Sequence, residues 1–565
     1  MNNGNFTNDM AVDYSLLEKE ELIKLLNRLD RRAKYGLHFE PQSEDFLDEK
    51  SHHTPLLRMN HDKCIEGNGP EHIFIEGENY HALQILNHTH KQRIDLIYID
   101  PPYNTGNKDF VYNDTYVDTD DSFRHSKWLS FMSRRLKLAK ELLKDDGAIA
   151  ISIDDNEFAQ LKLLCDNVFG EDNFVECIPW RKKAPKGKQP TTMIVNCHEY
   201  LLVYKKSNAF SFRGTPRQLS DYPNDDNDGY GPYGNGTQNL RSTDKPRDKA
   251  FTLTDPDTGR EFTDTWAYSK EKLETFIRDG KIIWPKKDDG QLRIRDYLWH
   301  KERQFVALPS EWISEREATP RGWPNVQQNK TMLQSMLPEE DFQHPKPIKL
   351  IEYLISTTFG SDAIILDFFA GSGTTGHAVM NLNAADGGTR RCILCTNNEN
   401  GIAERITYPR LVAAINGWKQ GKNSVPGTNA ALAYFRLGYL QNETTADETY
   451  LNLQKRLGGI TMLKHHAFKV LHLQEGSATL DFVIFGGLES TEPVYSVIIY
   501  NASSIPEAVA WFEENGIHEN VHFSVFSYGT FAYEDDFPET ELDYTVSPYP
   551  EHYLVSLDAT KKIGV

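Results

Sequence analysis

What this chain of 565 residues lacks bounds its class before any motif is read. No stretch approaches the roughly eighteen consecutive apolar residues a membrane helix needs, and residues 1–13 are polar without a basic-then-apolar pattern, so neither a membrane span nor a signal peptide is expected. Cysteine is scarce too: six in the whole chain cannot build a disulfide framework and fit reduced thiols, which makes a cytoplasmic protein the expectation. Cys392 and Cys395 form a C-x-x-C, but with no second pair and an apolar setting they read as buried thiols, and no metal site is expected. Positive charge is in deficit, with a net charge of −20, which at first sight argues against a phosphate-rich partner. That deficit is uneven. Residues 441–565 hold 6 Lys+Arg against 19 Asp+Glu, whereas residues 205–330 hold 22 against 20. Just before the second stretch lies "RKKAPKGK", whose five cations Arg181, Lys182, Lys183, Lys186 and Lys188 could be a solvated loop or a phosphate contact, depending on their neighbours.

The chain is long enough for three or four domains. Within residues 1–60 lies "SLLEKEELIKLLNRLDRRAKYGL", whose leucines recur at helical intervals up to Gly36 and predict an amphipathic docking or dimer helix. Next, "HIFIEG", "DLIYID", "GAIAISID" and "EYLLVYK" read as strands, with "NYHALQIL", "WLSFMSRRLKLAKELLK" and "EFAQLKLLCDNVF" as helices between the earlier ones. That alternation predicts a parallel α/β sheet covered by helices. Periodicity dissolves over residues 206–331 into Gly, Asp, Asn, Pro and aromatics, and returns at "HPKPIKLIEYLISTTFGSDAIILDFFAGSGTTGHAVM". The acidic end, residues 439–565, reads as a separate α+β domain with strands "TLDFVIFG" and "VYSVIIY" around the helix "PEAVAWFEEN".

Two strand ends carry chemistry. "AIILD" stops at Asp367 and enters a turn with Gly371, Gly373 and Gly376 before a helix, where glycines let the backbone approach a ligand and the helix start presents free amides. The spacing alone would suggest a dinucleotide site. A carboxylate at the strand end, however, repels a pyrophosphate and suits the ammonium of an amino-acid-bearing cofactor such as S-adenosylmethionine. The other strand, "DLIYID", ends in Asp100-Pro101-Pro102-Tyr103. The Asp100 carboxylate and Pro101 carbonyl can accept two hydrogens beside an aromatic plate, which makes a receptor for a planar exocyclic amine. Accepting both hydrogens of adenine's amine would aim its nitrogen at a sulfonium methyl, and Tyr103 would stack on a base rotated out of the duplex.

"DPPYNTG" preceding "DFFAGSGTTG" resembles the β-class adenine DNA methyltransferases, and more closely the modification subunits of Type III restriction-modification systems. Further matches are "FIEGENYHALQIL", "SKWLSFMSRRL", "GAIAISIDDNE", "HEYLLVY" and "HPKP", together spanning about residues 73–204 and 344–400 in the family's order. The resemblance implies a Rossmann-like S-adenosylmethionine-dependent methyltransferase sheet over residues 61–205 and 332–438, an inserted target-recognition domain over 206–331 and a C-terminal α+β domain. It makes Asp100, Pro101, Pro102 and Tyr103 the catalytic loop and Asp367, Phe369, Gly371, Gly373 and Thr374 the cofactor turn. Lys346 would face the methionyl carboxylate, and Glu78 or Asn79 would lie near the adenosine. Where many relatives place an acidic residue at the end of the next strand for the ribose, this chain reads "CILCTNNEN"; Glu399 is the nearest candidate, with Asn397 or Asn398 as substitutes.

Also implied are double-stranded DNA as substrate, a homodimer, and a restriction helicase-nuclease subunit or other defence proteins as partners. A cytosine-N4 methyltransferase is the nearest alternative, although relatives with that specificity usually carry Ser at position 100. A sequence-recognition subunit with incidental methylation is another. Of the remaining polar candidates, Trp180 reads as a core or loop anchor, Asp154-Asp155 as a cap, and His52-His53 and His465-His466 as surface residues.

Overall fold

The computed structural model describes residues 39–106, 109–113, 115–183, 194–216, 222, 224, 233–234, 240–242, 249–285, 287, 290–297, 305–306, 308, 326–441, 448–449, 452–453, 456–476, 480–489, 492–527, 531 and 533–564. The N-terminal helix expected up to Gly36, Lys186 and Lys188 lie outside the described residues. The described residues divide into two compact units, 212–308 and the remainder.

The larger unit is built on a nine-stranded sheet: β1 (His53–Met59), β2 (Glu71–Glu76), β3 (Ile94–Ile99), β4 (Leu143–Ile153), β5 (Phe174–Arg181), β6 (His198–Lys205), β7 (Ile364–Asp367), β8 (Arg391–Thr396) and β9 (Ala431–Gln441). Their spatial order is β1-β9-β2-β8-β7-β3-β4-β6-β5. The six strands from β9 to β4 run parallel. Every residue of β3 and β7 is buried, which is why both read as mainly apolar rather than alternating segments, with Asp95 the polar exception inside β3 and Asp367 at the end of β7. Helices cover both faces. Ile393 and Cys395 of β8 pack in one cluster with α1 (Asn79–Thr89), α2 (Arg124–Leu142) and α3 (Phe158–Phe169). On the opposite face Leu394 and Cys392 meet Gly376 of α5 (Thr374–Asp386), which packs beside α4 (Ile348–Thr358) and α6 (Tyr408–Asn416).

The expectation of a wholly parallel sheet is corrected at both ends. β6, read as one more parallel strand, runs antiparallel to β4 and β5, and β1 antiparallel to β9. A buried apolar run such as "EYLLVYK" carries no mark of direction. The 16 residues between β5 and β6 hold no helix among the described ones, and an antiparallel return needs no crossover helix.

The chain beyond β9 forms a five-stranded sheet of β10 (Lys469–Glu475), β11 (Leu480–Glu489), β12 (Glu492–Ile499), β13 (Val521–Phe526) and β14 (Tyr544–Tyr549), paired in that order. Its helices are α7 (Gly458–His465), α8 (Ile505–Glu514) and α9 (Glu551–Gly564). Expected as a domain apart, this segment shares the central core: Leu457, Ile460 and Leu463 around α7 and Tyr553 and Leu557 of α9 join the cluster of α1 and α2. The Tyr553 hydroxyl donates to the Pro55 carbonyl of β1 at 2.6 Å. His465 and His466 are therefore not surface residues. His466 is buried edge-on against His90, which follows α1, and His465 stacks on His522 with centroids 4.3 Å apart.

The smaller unit has its own core of Leu240, Leu253, Phe262, Trp266, Leu273, Ile282 and Leu292 around a hairpin, 251–254 with 261–264, and the helix Lys270–Arg278. It is narrower than the expected insertion of residues 206–331. Among the described residues no helix is long and apolar enough to cross a membrane.

Candidate active site

β3 and β7 are nearest neighbours, with Leu96 beside Ile365 and Ile97 beside Leu366. Because they run parallel, their carboxyl ends emerge together, and the two loops singled out from the sequence start one strand apart. The charge of Asp100 is felt at Asp367.

After Asp367 the chain turns on Gly371 (φ +49°) and Gly373 (φ +76°), a left-handed pair in which a side chain would be strained, and Gly373 caps α5. A Cβ at Gly376 would fall 2.7 Å from Leu394 Cδ1 and 2.8 Å from Leu411 Cδ2, so its bareness seats α5 on the sheet. Asp367 Oδ1 accepts the Phe369 amide at 3.0 Å and Oδ2 the Thr375 hydroxyl at 2.5 Å. Burial still pushes this carboxyl up to about 7, against those two hydrogen bonds. Arg410 of α6, fully buried, braces the turn from behind, donating to the hydroxyls of Ser372 (2.9 Å) and Thr374 (2.7 Å).

Asn79 is brought to this turn: its Nδ2 donates to the Phe368 carbonyl at 3.0 Å. Glu78 caps α1 by accepting the Tyr80 amide and takes a 2.7 Å bond from Arg135 Nη2. Arg135, almost wholly buried, also donates to Asn79 Oδ1 at 2.6 Å and lies over the Phe131 ring at 3.6 Å, while Phe131 packs on Phe369. Burial would raise the Glu78 carboxyl, but the guanidinium holds it below the usual range. Glu399 is exposed in the turn after β8, its amide bonded to Asn397 Oδ1 at 3.3 Å, and Asn398 Oδ1 accepts the Glu404 amide.

Across from the turn, the loop after β3 is held from below. Trp128 Nε1 donates to the Pro102 carbonyl at 2.7 Å, and Asn104, at φ +56°, donates to Glu157 Oε1 at 2.6 Å. Among the described residues nothing donates to the Pro101 carbonyl. Lys346, nine-tenths buried just before α4, reaches Asp100 Oδ1 at 3.2 Å, Glu199 Oε2 at 2.9 Å and the Tyr103 hydroxyl oxygen at 2.6 Å. Glu199 in turn takes Lys182 Nζ at 3.4 Å and the Tyr103 hydroxyl at 3.3 Å. Two carboxylates and two ammoniums are thus interleaved beside the Tyr103 ring and the buried Trp180. Burial would pull Lys346 down, but Asp100 and Glu199 outweigh it and hold the ammonium above its ordinary range. For Asp100 the balance runs the other way: burial and the Glu199 charge raise the carboxyl despite Lys346.

Of the basic run, Arg181 ends β5, Lys182 is committed to Glu199 and Lys183 is exposed. Trp180 is buried, as an anchor should be, and Asp154 closes a turn by accepting the Asn156 amide at 2.9 Å. Cys392 and Cys395 are buried free thiols. Glu199, Glu157, Asn104 and Arg135 were not singled out in the sequence, although each lies within or beside a quoted segment. A charged residue flanked by core hydrophobics, as in "HEYLLVY" and "SRRLKLA", was the available signal.

Residues 94–404 match a family model described as DNA methylase, covering N6 and N4 methyltransferases. The chain is 31% identical over 430 residues to the Type III restriction-modification enzyme StyLTI Mod subunit of Salmonella typhimurium, covering 70% of this chain and 64% of that one. It is 32% identical over 404 residues to the EcoPI Mod subunit of Escherichia phage P1, covering 60% and 59%. With the Type II methyltransferase M.KpnI of Klebsiella pneumoniae it shares 36% identity over 360 residues, covering 59% of this chain and 82% of the relative. The chain thus spans about six-tenths of the length of these Type III relatives. With both motif loops inside the matched region and most of M.KpnI covered, the chain belongs to the DNA methylase family.

Proposed function

We propose that the chain is an S-adenosylmethionine-dependent DNA methyltransferase acting on the exocyclic N6 amine of adenine, as the modification and recognition subunit of a Type III restriction-modification or related defence system. The observation that carries the reading is the shared carboxyl edge of β3 and β7, with an acceptor-rich, aromatic loop on one strand and a carboxylate-bearing glycine turn on the other.

The turn fits the cofactor. Asp367 is buried with no cation beside it among the described residues, and a carboxyl pushed up to about 7 is one that an ammonium would stabilise in its charged form. Gly371 and Gly373 leave the backbone bare for close approach, and Asn79, Glu78 and Phe369, tied together by Arg135, wall the adenosine side. S-adenosylmethionine supplies the methyl group as a sulfonium. The chain's residues supply the rest. Asp100 and the unoccupied Pro101 carbonyl accept the two hydrogens of the adenine amine, Tyr103 stacks on the extruded base, and Lys346 and Glu199 fix Asp100 and the Tyr103 hydroxyl. Once the nitrogen has gained a methyl group it must shed a proton, and Asp100 is the base within reach. Glu399, or the neighbouring Asn397 or Asn398, would receive the ribose. Arg181 and Lys183 together with the smaller unit would contact DNA, with the target sequence read by that unit. A homodimer, a helicase-nuclease partner and a cytoplasmic setting follow from likeness to the Type III subunits.

The test is to incubate purified protein with duplex DNA and labelled S-adenosylmethionine and to identify the modified nucleoside. N6-methyladenine supports the reading, N4-methylcytosine would move it to the sister specificity, and no methyl transfer would overturn it. Asp100→Ala should lower transfer by at least about a thousandfold. If biological function persists in that variant, a recognition subunit with incidental methylation is the better account.

A further inference from the structure

A second pocket sits at the far edge of the sheet and shares no residue with the catalytic cluster. It is a cavity of about 400 Å³ between β1, β9 and the start of α7. Three arginines, Arg58, Arg436 and Arg456, are among its lining residues. Arg58 stands directly opposite Arg436 in the β1–β9 register, and like charges so placed destabilise a strand pair unless an anion bridges them. Only Arg436 is committed to protein carboxylates, with Glu76 (2.9 Å) and Glu404 (3.0 Å). Arg58 and Arg456 have no carboxylate partner among the described residues, in a chain whose net charge is −20.

An independent feature points the same way. The first two residues of α7, Gly458 and Gly459, line the pocket, and no acceptor among the described residues takes either amide. A Cβ at Gly459 would lie 2.2 Å from the Leu57 carbonyl, so only glycine lets this helix start press against β1. Free amides at a helix N-terminus and arginine guanidiniums are groups that hold phosphate. Leu56, Met59 and Met462 add an apolar wall of the kind small-ligand pockets carry.

We propose that this pocket binds the phosphate of a nucleotide, either free or in a DNA backbone, on Arg58, Arg456 and the Gly458–Gly459 amides. Inorganic pyrophosphate is the first probe, because it offers phosphates without an adenine that the methyl-donor pocket could take. Titrated calorimetrically into the full chain at low salt, it should bind, and Arg58→Ala and Arg456→Ala should each weaken binding at least tenfold while Arg456→Lys keeps most of it. Both side chains are exposed, so these variants should fold and retain methyl transfer to a saturating oligonucleotide. The second arm measures duplex binding against salt. A slope of log K on log salt smaller by about one per arginine removed identifies backbone phosphate as the source, even if pyrophosphate is silent. Pyrophosphate silent and slopes unchanged, or pyrophosphate binding indifferent to both alanine variants, would overturn the proposal. Either result leaves the methyltransferase reading untouched, since that rests on the nucleoside assay.

Discussion

At the scale of single residues the site is governed by how one lysine is shared. Lys346 sits 3.2 Å from Asp100 and 2.9 Å from Glu199, so removing the Glu199 charge acts on Asp100 twice: a neighbouring anion disappears and the ammonium is released toward the remaining carboxylate. Both changes favour ionised Asp100, whose carboxyl is held up by burial and by Glu199. Glu199→Gln should therefore move the acid limb of the kcat–pH profile to lower pH. It should also lower kcat by about tenfold at pH 8, about 1.4 kcal/mol, as Lys346 and the Tyr103 hydroxyl lose their common acceptor. A purely structural role for Glu199 would lower Tm and leave the limb where it was, so an unshifted profile with an intact fold would count against this account. Asn104 offers a companion measurement. Its left-handed φ of +56° is a conformation glycine adopts freely, so Asn104→Gly removes the bond to Glu157 without adding strain. Steady-state kinetics should show kcat falling about tenfold with Tm within about 2 °C of wild type.

At the scale of elements, the two strand ends were legible because their signals are local. A buried parallel strand is a run of Val, Ile and Leu, and its end is marked by residues that cannot continue it: Asp-Pro-Pro in one case, Asp followed by glycines in the other. The direction of β6 was not legible, since strand polarity depends on which neighbour a strand meets rather than on its composition. The Lys346–Glu199 pair was hidden for a related reason. Its partners are 147 residues apart: Glu199 looks like an ordinary surface charge, and Lys346, expected to face the methionyl carboxylate, meets Glu199 only where β6 and the approach to α4 bring them together. The glycine turn, in contrast, can be tested on its own. Gly373 has φ +76°, and a Cβ there would lie 3.2 Å from Thr407 Cγ2, whose hydroxyl donates to the Gly371 carbonyl at 2.6 Å. Gly373→Ala should cost about 1–2 kcal/mol of left-handed strain and displace Thr407. The expected result is a KM for S-adenosylmethionine raised severalfold with the KM for DNA little changed; equal effects on both would mean that the turn does not hold the cofactor.

At the scale of the whole molecule, the segment after β9 is bound to the methyltransferase sheet through an interface rich in histidine. His88 of α1 and His90 just after it face His552 and His466, while His465 stacks on His522. The charged groups around them are Lys464, Arg93 and Arg391, and among the described residues Asp543 near His522 is the one carboxylate that opposes them. Burial first, then these cations, depress the histidines: His90 to about 3, His88 to about 2, and His465 and His466 well below the ordinary value. A base whose folded value lies below its unfolded value of about 6.5 binds protons more readily when unfolded. Its neutral burial costs nothing above pH 6.5, and stability is lost progressively as pH falls from about 6.5 toward the folded values. For the fully buried His90 the loss at pH 5.5 is about 1.4 kcal/mol, with further losses from His466 and the other rings. Because these rings join the C-terminal segment to α1, the loss falls on that joint and on the core cluster the two share. Tm measured from pH 8 to pH 5 should hold steady to about pH 6.5 and then drop steeply. Substituting His90 and His466 together by Gln should flatten the drop even if it lowers Tm at pH 8, and a Tm that stays level down to pH 5 would show that the histidines reach solvent and do not couple the two parts.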